Sequence, residues 1–216
     1  MTARPVFLVG FMGAGKTTLG RRVAKLLGRP FVDLDARVER AAGATLPEIF
    51  LREGEEGFRA REREALLSLL AEVRDAAVPP VVAAGGGTFA DGRNRKGMLE
   101  AGLCVWLDIP MEVIRGRIGA ARPLYRGPRE AERLLREREP AYAEAHIRVP
   151  AAERSAAETA RALTARIREA EGGAYGQRGG RRGARAGRSI RGDGVRERRD
   201  GGSPPRKRLA RKPFRP

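Results

Sequence analysis

The chain has one cysteine, Cys104, and one histidine, His146, among 216 residues. A single cysteine excludes an internal disulfide and suits a reducing compartment. No apolar run reaches the roughly 18 residues that a membrane-spanning helix needs, so no membrane partner is expected. The N-terminus, MTARPVFLVG, enters a strand at once and has no signal-peptide layout, which points to the cytoplasm. From Gly172 onward large apolar side chains are nearly missing. Such a stretch cannot bury enough surface to offset its ordering entropy, and disorder is expected there. Acids are scarce in it too. Thirteen arginines and two lysines face three acids, a net of +12, which leaves +5 of the overall +17 for residues 1–171. The expected organisation is therefore a mildly basic domain over 1–171, suited to handling anions, and an Arg/Gly-rich tail over 172–216. Hydrophobic residues make up 41% of the chain, enough for a core.

What is present centres on residues 6–18, VFLVGFMGAGKTT. An apolar run leads into a glycine-rich turn, then a lysine and two threonines, then a helical pattern. Gly10, Gly15, Lys16 and Thr17 fit G-x-x-x-x-G-K-[ST], a phosphate-binding loop. The glycines let the backbone curl so that successive N–H groups share one hollow at a helix N-terminus, where unpaired donors and the helix dipole favour anions. Residues Gly13, Ala14, Gly15, Lys16, Thr17 and Thr18 would hold a nucleotide's phosphates. Lys16 would reach the β/γ-phosphates, and the Thr17 hydroxyl would ligate Mg²⁺.

Along the chain, residues 5–9 read as a buried parallel strand. A helix follows with the stripe Leu19, Val23, Leu26, Leu27, stopped by Gly28. A second strand, 31–33, runs into Asp33-Leu34-Asp35. Strand alternation would put both carboxylates on one side, at a C-terminal end where open α/β sheets bind ligands. The competing reading is a helix-capping aspartate with a solvated neighbour. A short helix over 36–42 precedes one from about 55 to 73 that buries Phe58, Leu66, Leu69, Leu70 and Val73. Within it Arg59 reads, on its own, as an exposed helical arginine. A third strand, 79–84, meets Gly85-Gly86-Gly87, which allow a backbone to approach a ligand closely. After a helix over 94–101 comes a fourth strand, 103–107, with Cys104 and Trp106 in the core. A helix over 110–117 leads to an arginine-dense loop, 115–126, that reads as a lid bringing positive charge to a transferring group. Residues 129–145 are helical, with Arg138 beside Leu134, Leu135 and Tyr142. A short strand over 146–149 makes His146 structural rather than catalytic. A last helix, striped by Ala156, Ala160, Leu163 and Ile167, is expected to end at Gly172-Gly173.

Taken together, these motifs resemble the shikimate kinase family over about residues 5–170. The combination carries the resemblance: GFMGAGKTT; a strand ending in D-x-D; Phe50, Glu53-Gly54-Glu55 and Phe58-Arg59 in order; the glycine triplet; Arg122-Pro123-Leu124 in the lid; and Arg138 four residues before Tyr142. The resemblance implies an α/β P-loop kinase sandwich with a five-stranded parallel sheet in order 2-3-1-4-5 and helices on both faces. It implies transfer of a phosphoryl group from ATP, with Mg²⁺, to the 3-hydroxyl of shikimate on the route to chorismate and the aromatic amino acids. Carried over by position, Lys16, Asp35 and Arg122 perform the catalysis, with Asp35 on the substrate hydroxyls. Arg59 and Arg138 pair with the carboxylate, Gly85, Gly86 and Gly87 offer backbone N–H groups, and Phe50 and Phe58 wall the pocket. Thr17 and Asp33 serve Mg²⁺, Arg122 meets the phosphates, and Arg117 stacks on the adenine; Arg154, outside the carried-over set, is a further candidate for an adenine contact. Ala156 stands where the family pattern has a proline against the base. A monomer is implied.

Two alternatives remain at this stage. One is another small-molecule kinase of the same architecture, acting on gluconate or AMP. The other is a polyanion-binding protein acting through the tail, whose QRGGRRGARAGR segment resembles RGG-type tracts that bind nucleic acid weakly and with strong salt dependence.

Overall fold

The computed structural model describes residues 3–117, 127–150 and 155–179. Its centre is β1 (Val6–Val9), whose four side chains are wholly buried. Successive strand residues face opposite ways, so this burial requires cover on both faces of the sheet. The other strands are β2 (Phe31–Asp33), β3 (Val81–Ala83), β4 (Leu103–Asp108) and β5 (Ile147–Pro150). All pairings are parallel and the order is β2-β3-β1-β4-β5, as expected. Val6 stands opposite Val81 on one side and Leu103 on the other.

Helices fill the crossovers that parallel strands require. They are α1 (Lys16–Leu27), α2 (Leu34–Ala42), α3 (Leu46–Arg74), α4 (Gly92–Ala101), α5 (Met111–Arg115), α6 (Pro128–Tyr142) and α7 (Ala156–Gly179). Leu8 of β1 faces α1, and a Cβ on Gly20 would come within 3.2 Å of it. Leu19 and Val23 are buried as the stripe requires, but Leu26 is exposed. The buried arc of α1 is narrower than an i, i+4, i+7, i+8 pattern, with Leu27 only partly buried at that end.

Several boundaries differ from the sequence reading, among them α6, which ends at Tyr142 rather than at 145. β2 stops at Asp33 and α2 begins at Leu34, because the Asp33 carboxylate accepts the N–H groups of Asp35 (3.1 Å) and Ala36 (3.5 Å) and starts a helix there. Asp35 therefore rides the first turn of a helix, not a strand. α3 begins nine residues before the expected Glu55. Its start is set by Pro47 and by Glu48 reaching back to the Thr45 N–H (2.8 Å), and its two segments meet at Gly54 (φ 68°). α5 ends at Arg115 rather than 117. α7 continues past the glycine pair to Gly179.

Candidate active site

The C-terminal ends of all five strands converge on one edge of the sheet. After β1 the chain turns through Gly10 (φ 133°), Gly13 and Gly15 (φ 85°) into α1. A side chain on Gly10 would strike the Leu107 carbonyl at 2.7 Å. No side chain caps α1 and no acid sits in its first turn, so its leading N–H groups face the hollow of the loop. Lys16 Nζ arches over that loop and donates to the Gly10 and Phe11 carbonyls, each at 2.8 Å. The Thr17 hydroxyl donates to Asp33 Oδ2 at 2.7 Å. Asp33 thus does both things the sequence left open: one oxygen caps α2 and the other meets the loop threonine.

Beside the loop lies a cavity of about 260 Å³. It is walled by Met12, Asp35, Glu39, Leu46, Pro47, Phe50, Phe58, Arg59, Glu62, Arg138 and the glycine triplet. The break at Gly54 turns the two parts of α3 so that Phe50 and Phe58 stack, ring centroids 4.6 Å apart. Arg59 lies over the Phe58 ring at 5.1 Å and donates to Glu62 (2.7 Å) and Glu55 (3.2 Å). Burial works against the Arg59 charge, but those two carboxylates outweigh it and raise its pKa. Arg138 is buried on α6. Its Nη1 has no hydrogen-bond partner among the described residues and lies 3.7 Å from where a Gly86 Cβ would be. A Cβ on Gly87 would come within 2.5 Å of the Arg59 guanidinium, and one on Gly85 within 2.9 Å of Asp35 Oδ1. At Gly85 and Gly87 charged side chains occupy the space of a Cβ, and at Gly86 the Met12 backbone nitrogen lies 3.2 Å from it. The Asp35 carboxylate, two guanidinium groups and exposed backbone around a stacked aromatic wall can bind a small hydroxylated acid.

A second cavity of about 260 Å³ adjoins the loop on the other side. Ala14, Gly15, Thr18, Leu19, Ile109, Arg117, Ala156 and Thr159 line it. Arg117 and Ala156 thus line the same cavity. Arg122, Arg154, the lid over 118–126 and the tail beyond Gly179 lie outside the described residues.

Sequence reasoning missed Glu62, Met12, Glu39 and Thr88. Glu62 is 1% exposed and accepts from Arg59 and from the Thr88 hydroxyl (2.6 Å). A signal existed: Phe58, Glu62, Leu66, Leu69 and Val73 follow one helical stripe, and a carboxylate there must be buried with partners. His146 accepts the Cys104 N–H through Nδ1 at 3.0 Å, at the opposite end of β4 from the site, as a structural histidine should.

Residues 12–168 match the family model for shikimate kinase. The chain belongs to the shikimate kinase family. A shikimate kinase of Novosphingobium aromaticivorans is 46% identical over 149 residues, covering 67% of this chain and 77% of the relative. One of Cereibacter sphaeroides is 42% identical over 172 residues, covering 77% and 82%. Among solved structures, shikimate kinase from Acinetobacter baumannii in complex with shikimate superposes with a TM-score of 0.73 at 38% identity, covering 79% of this chain and 96% of that one. A gluconokinase from Sinorhizobium meliloti (TM-score 0.55, 16% identity) shares the fold alone.

Proposed function

We propose that this member of the shikimate kinase family transfers the γ-phosphoryl group of ATP to the 3-hydroxyl of shikimate. The observation that carries the reading is the first cavity, which Asp35, Arg59 and the buried Arg138 line together beside the phosphate loop. A cyclic carboxylic acid bearing hydroxyls fits that pattern. The two forked guanidinium groups take its carboxylate and Asp35 accepts from the hydroxyls. The N–H groups of Gly85, Gly86 and Gly87 add donors along one edge, and Phe50 and Phe58 cover the ring. Asp35 orients the attacking hydroxyl and takes its proton as the bond to phosphorus forms. Lys16, at present on the loop carbonyls, moves to the β/γ-phosphates. Phosphoryl transfer depends on positioning and charge neutralisation, so the remote His146 and Cys104 need no part in it.

Thr17 and Asp33 are the residues for Mg²⁺. Their two adjacent oxygens fit an ion that binds through one or two protein ligands and fills its remaining positions with water and phosphate. When bound, that ion neutralises charge on the transferring phosphates. Arg117 and Ala156, which line the second cavity, meet the adenine; Arg122 is assigned from the family pattern and Arg154 from its place in the sequence after β5. We assign a monomer in the cytoplasm.

An ADP-release assay across shikimate, gluconate and AMP tests this reading. Mg²⁺-dependent turnover with shikimate alone is expected; turnover with gluconate or AMP and none with shikimate would refute it. A second reading rests on the +12 charge of residues 172–216, which favours weak, salt-sensitive binding to nucleic acid. Because α7 runs to Gly179, the informative truncation is after that residue. It should keep kcat/KM and abolish any RNA binding seen at low salt. Loss of turnover would instead make the segment part of the kinase.

A further inference from the structure

The proposed reaction makes no use of Tyr142, yet this residue is wholly buried next to the site. It lies one turn beyond Arg138 on α6, so the two side chains leave the same face of the helix. Its ring tilts against Trp106 of β4 with centroids 6.0 Å apart. Its hydroxyl donates to the Gly86 carbonyl. Burial pushes that hydroxyl's pKa up to about 12, against the charge of Arg138 and a hydrogen bond with its side chain, so it stays protonated and donates to the carbonyl while meeting Arg138 as well. Tyr142 does not line the cavity itself.

The carbonyl it holds belongs to the middle of the glycine triplet. A trans peptide is planar, with C=O and N–H pointing opposite ways, and the chain has no cis bond among its described residues. Fixing the Gly86 C=O therefore fixes the direction of the Gly87 N–H. Glycine backbone is conformationally permissive; the Gly85 carbonyl accepts the Thr88 N–H at 3.2 Å and the Gly87 carbonyl the Ala90 N–H at 3.1 Å, and between them Tyr142 adds a side-chain anchor for this peptide. Its neighbours have their own: Thr88 is tied to Glu62, and Arg95 Nη1 donates to the Phe89 and Ala90 carbonyls at 3.1 and 3.0 Å.

We propose that Tyr142 is a positioning residue for the acceptor substrate. It sets the plane of the Gly86–Gly87 peptide through the Gly86 carbonyl and never touches the acid. The proposal rests on the functional reading above for the identity of the acid, but not for the anchor.

Tyr142→Phe removes the hydroxyl and keeps the ring. The KM for shikimate should rise about tenfold, the scale of one lost hydrogen bond at a buried carbonyl, with the KM for ATP within about twofold of the parent. Trp106→Phe loosens the same ring packing without touching the carbonyl. It should lower the melting temperature and leave the shikimate KM alone, which separates positioning from simple loosening. In the ligand-free protein, amide hydrogen exchange over residues 85–90 should quicken in Tyr142→Phe and not in Trp106→Phe. An unchanged shikimate KM, or equal rises for both substrates in both variants, would overturn the proposal. If the parent chain does not phosphorylate shikimate, the functional reading fails and the exchange experiment alone decides the anchor: unchanged exchange in Tyr142→Phe removes it.

Discussion

Asp35 and Arg59 illustrate how a side chain can reach the right place by a route its neighbours in sequence do not show. Strand alternation would have put Asp33 and Asp35 on one side, but Asp33 ends the strand by capping α2. Asp35 then enters the cavity from the first helical turn. Asp35→Asn keeps the shape and removes the proton acceptor, so kcat should fall by about 10²-fold or more, read in the ADP-release assay with unfolding curves matched to the parent. Arg59, taken alone, reads as one more exposed arginine in a charged helix. The structure gives it Glu62 on one side and the Phe58 ring beneath, which aims it at the cavity. Arg59→Ala should raise the shikimate KM by about 10- to 100-fold, as expected for a charged hydrogen-bonded pair, with ATP affinity nearly unchanged. Isothermal titration with each ligand separately would check that split. Glu62 itself was legible only as an anomaly, a carboxylate on a buried stripe.

At the scale of elements, apolar runs and glycine stops located every strand and helix to within a few residues, apart from the start of α3 and the end of α7. Local chemistry explains the first. α3 starts early because Thr45, Pro47 and Glu48 form a helix start upstream of Gly54. α7 is tied to the α1–β2 connection by Arg29, whose Nη2 donates to both oxygens of Glu171 at 2.8 and 2.7 Å. The Arg29 side chain is only 8% exposed, while that of Glu171 is 24% exposed. Removing the arginine leaves a carboxylate that can partly rehydrate, so the cost should fall below that of a fully buried pair. Arg29→Ala should destabilise by about 1–3 kcal/mol. At roughly 2–4 °C per kcal/mol for a domain of this size, the melting temperature should drop by several degrees while the kinetics at 25 °C stay unchanged.

Across the whole molecule, stability should depend on pH through His146. Burial, and then the Arg4 charge, lower its pKa below 6.5 in the fold, where the neutral ring accepts the Cys104 N–H. Above pH 6.5 the ring is neutral whether folded or unfolded, and its contribution is complete. As pH falls below 6.5 the unfolded chain takes up the proton first, so stability declines until the folded ring is protonated too. His146→Asn retains an acceptor and cannot titrate. Melting temperatures measured between about pH 5 and 7 should fall less steeply towards acid in this variant than in the parent. Equal slopes would remove His146 from the pH response. Cys104, its thiol pushed up to about 12 by burial, should stay inert to alkylation until the protein unfolds.

The sequence by itself determined the phosphate loop, the strand order implied by its family resemblance, and the residue types a phosphoryl-transfer site requires. These are legible because glycine geometry, helix dipoles and apolar periodicity act over a few neighbouring residues. The resemblance had already pointed to Arg59 and Arg138; only the tertiary structure decided that they line one cavity, that Glu62 holds Arg59, and that the Tyr142 hydroxyl meets the Gly86 carbonyl. Those contacts join residues up to 56 positions apart, brought together when five strand ends meet on one edge of a sheet, and no local pattern encodes them.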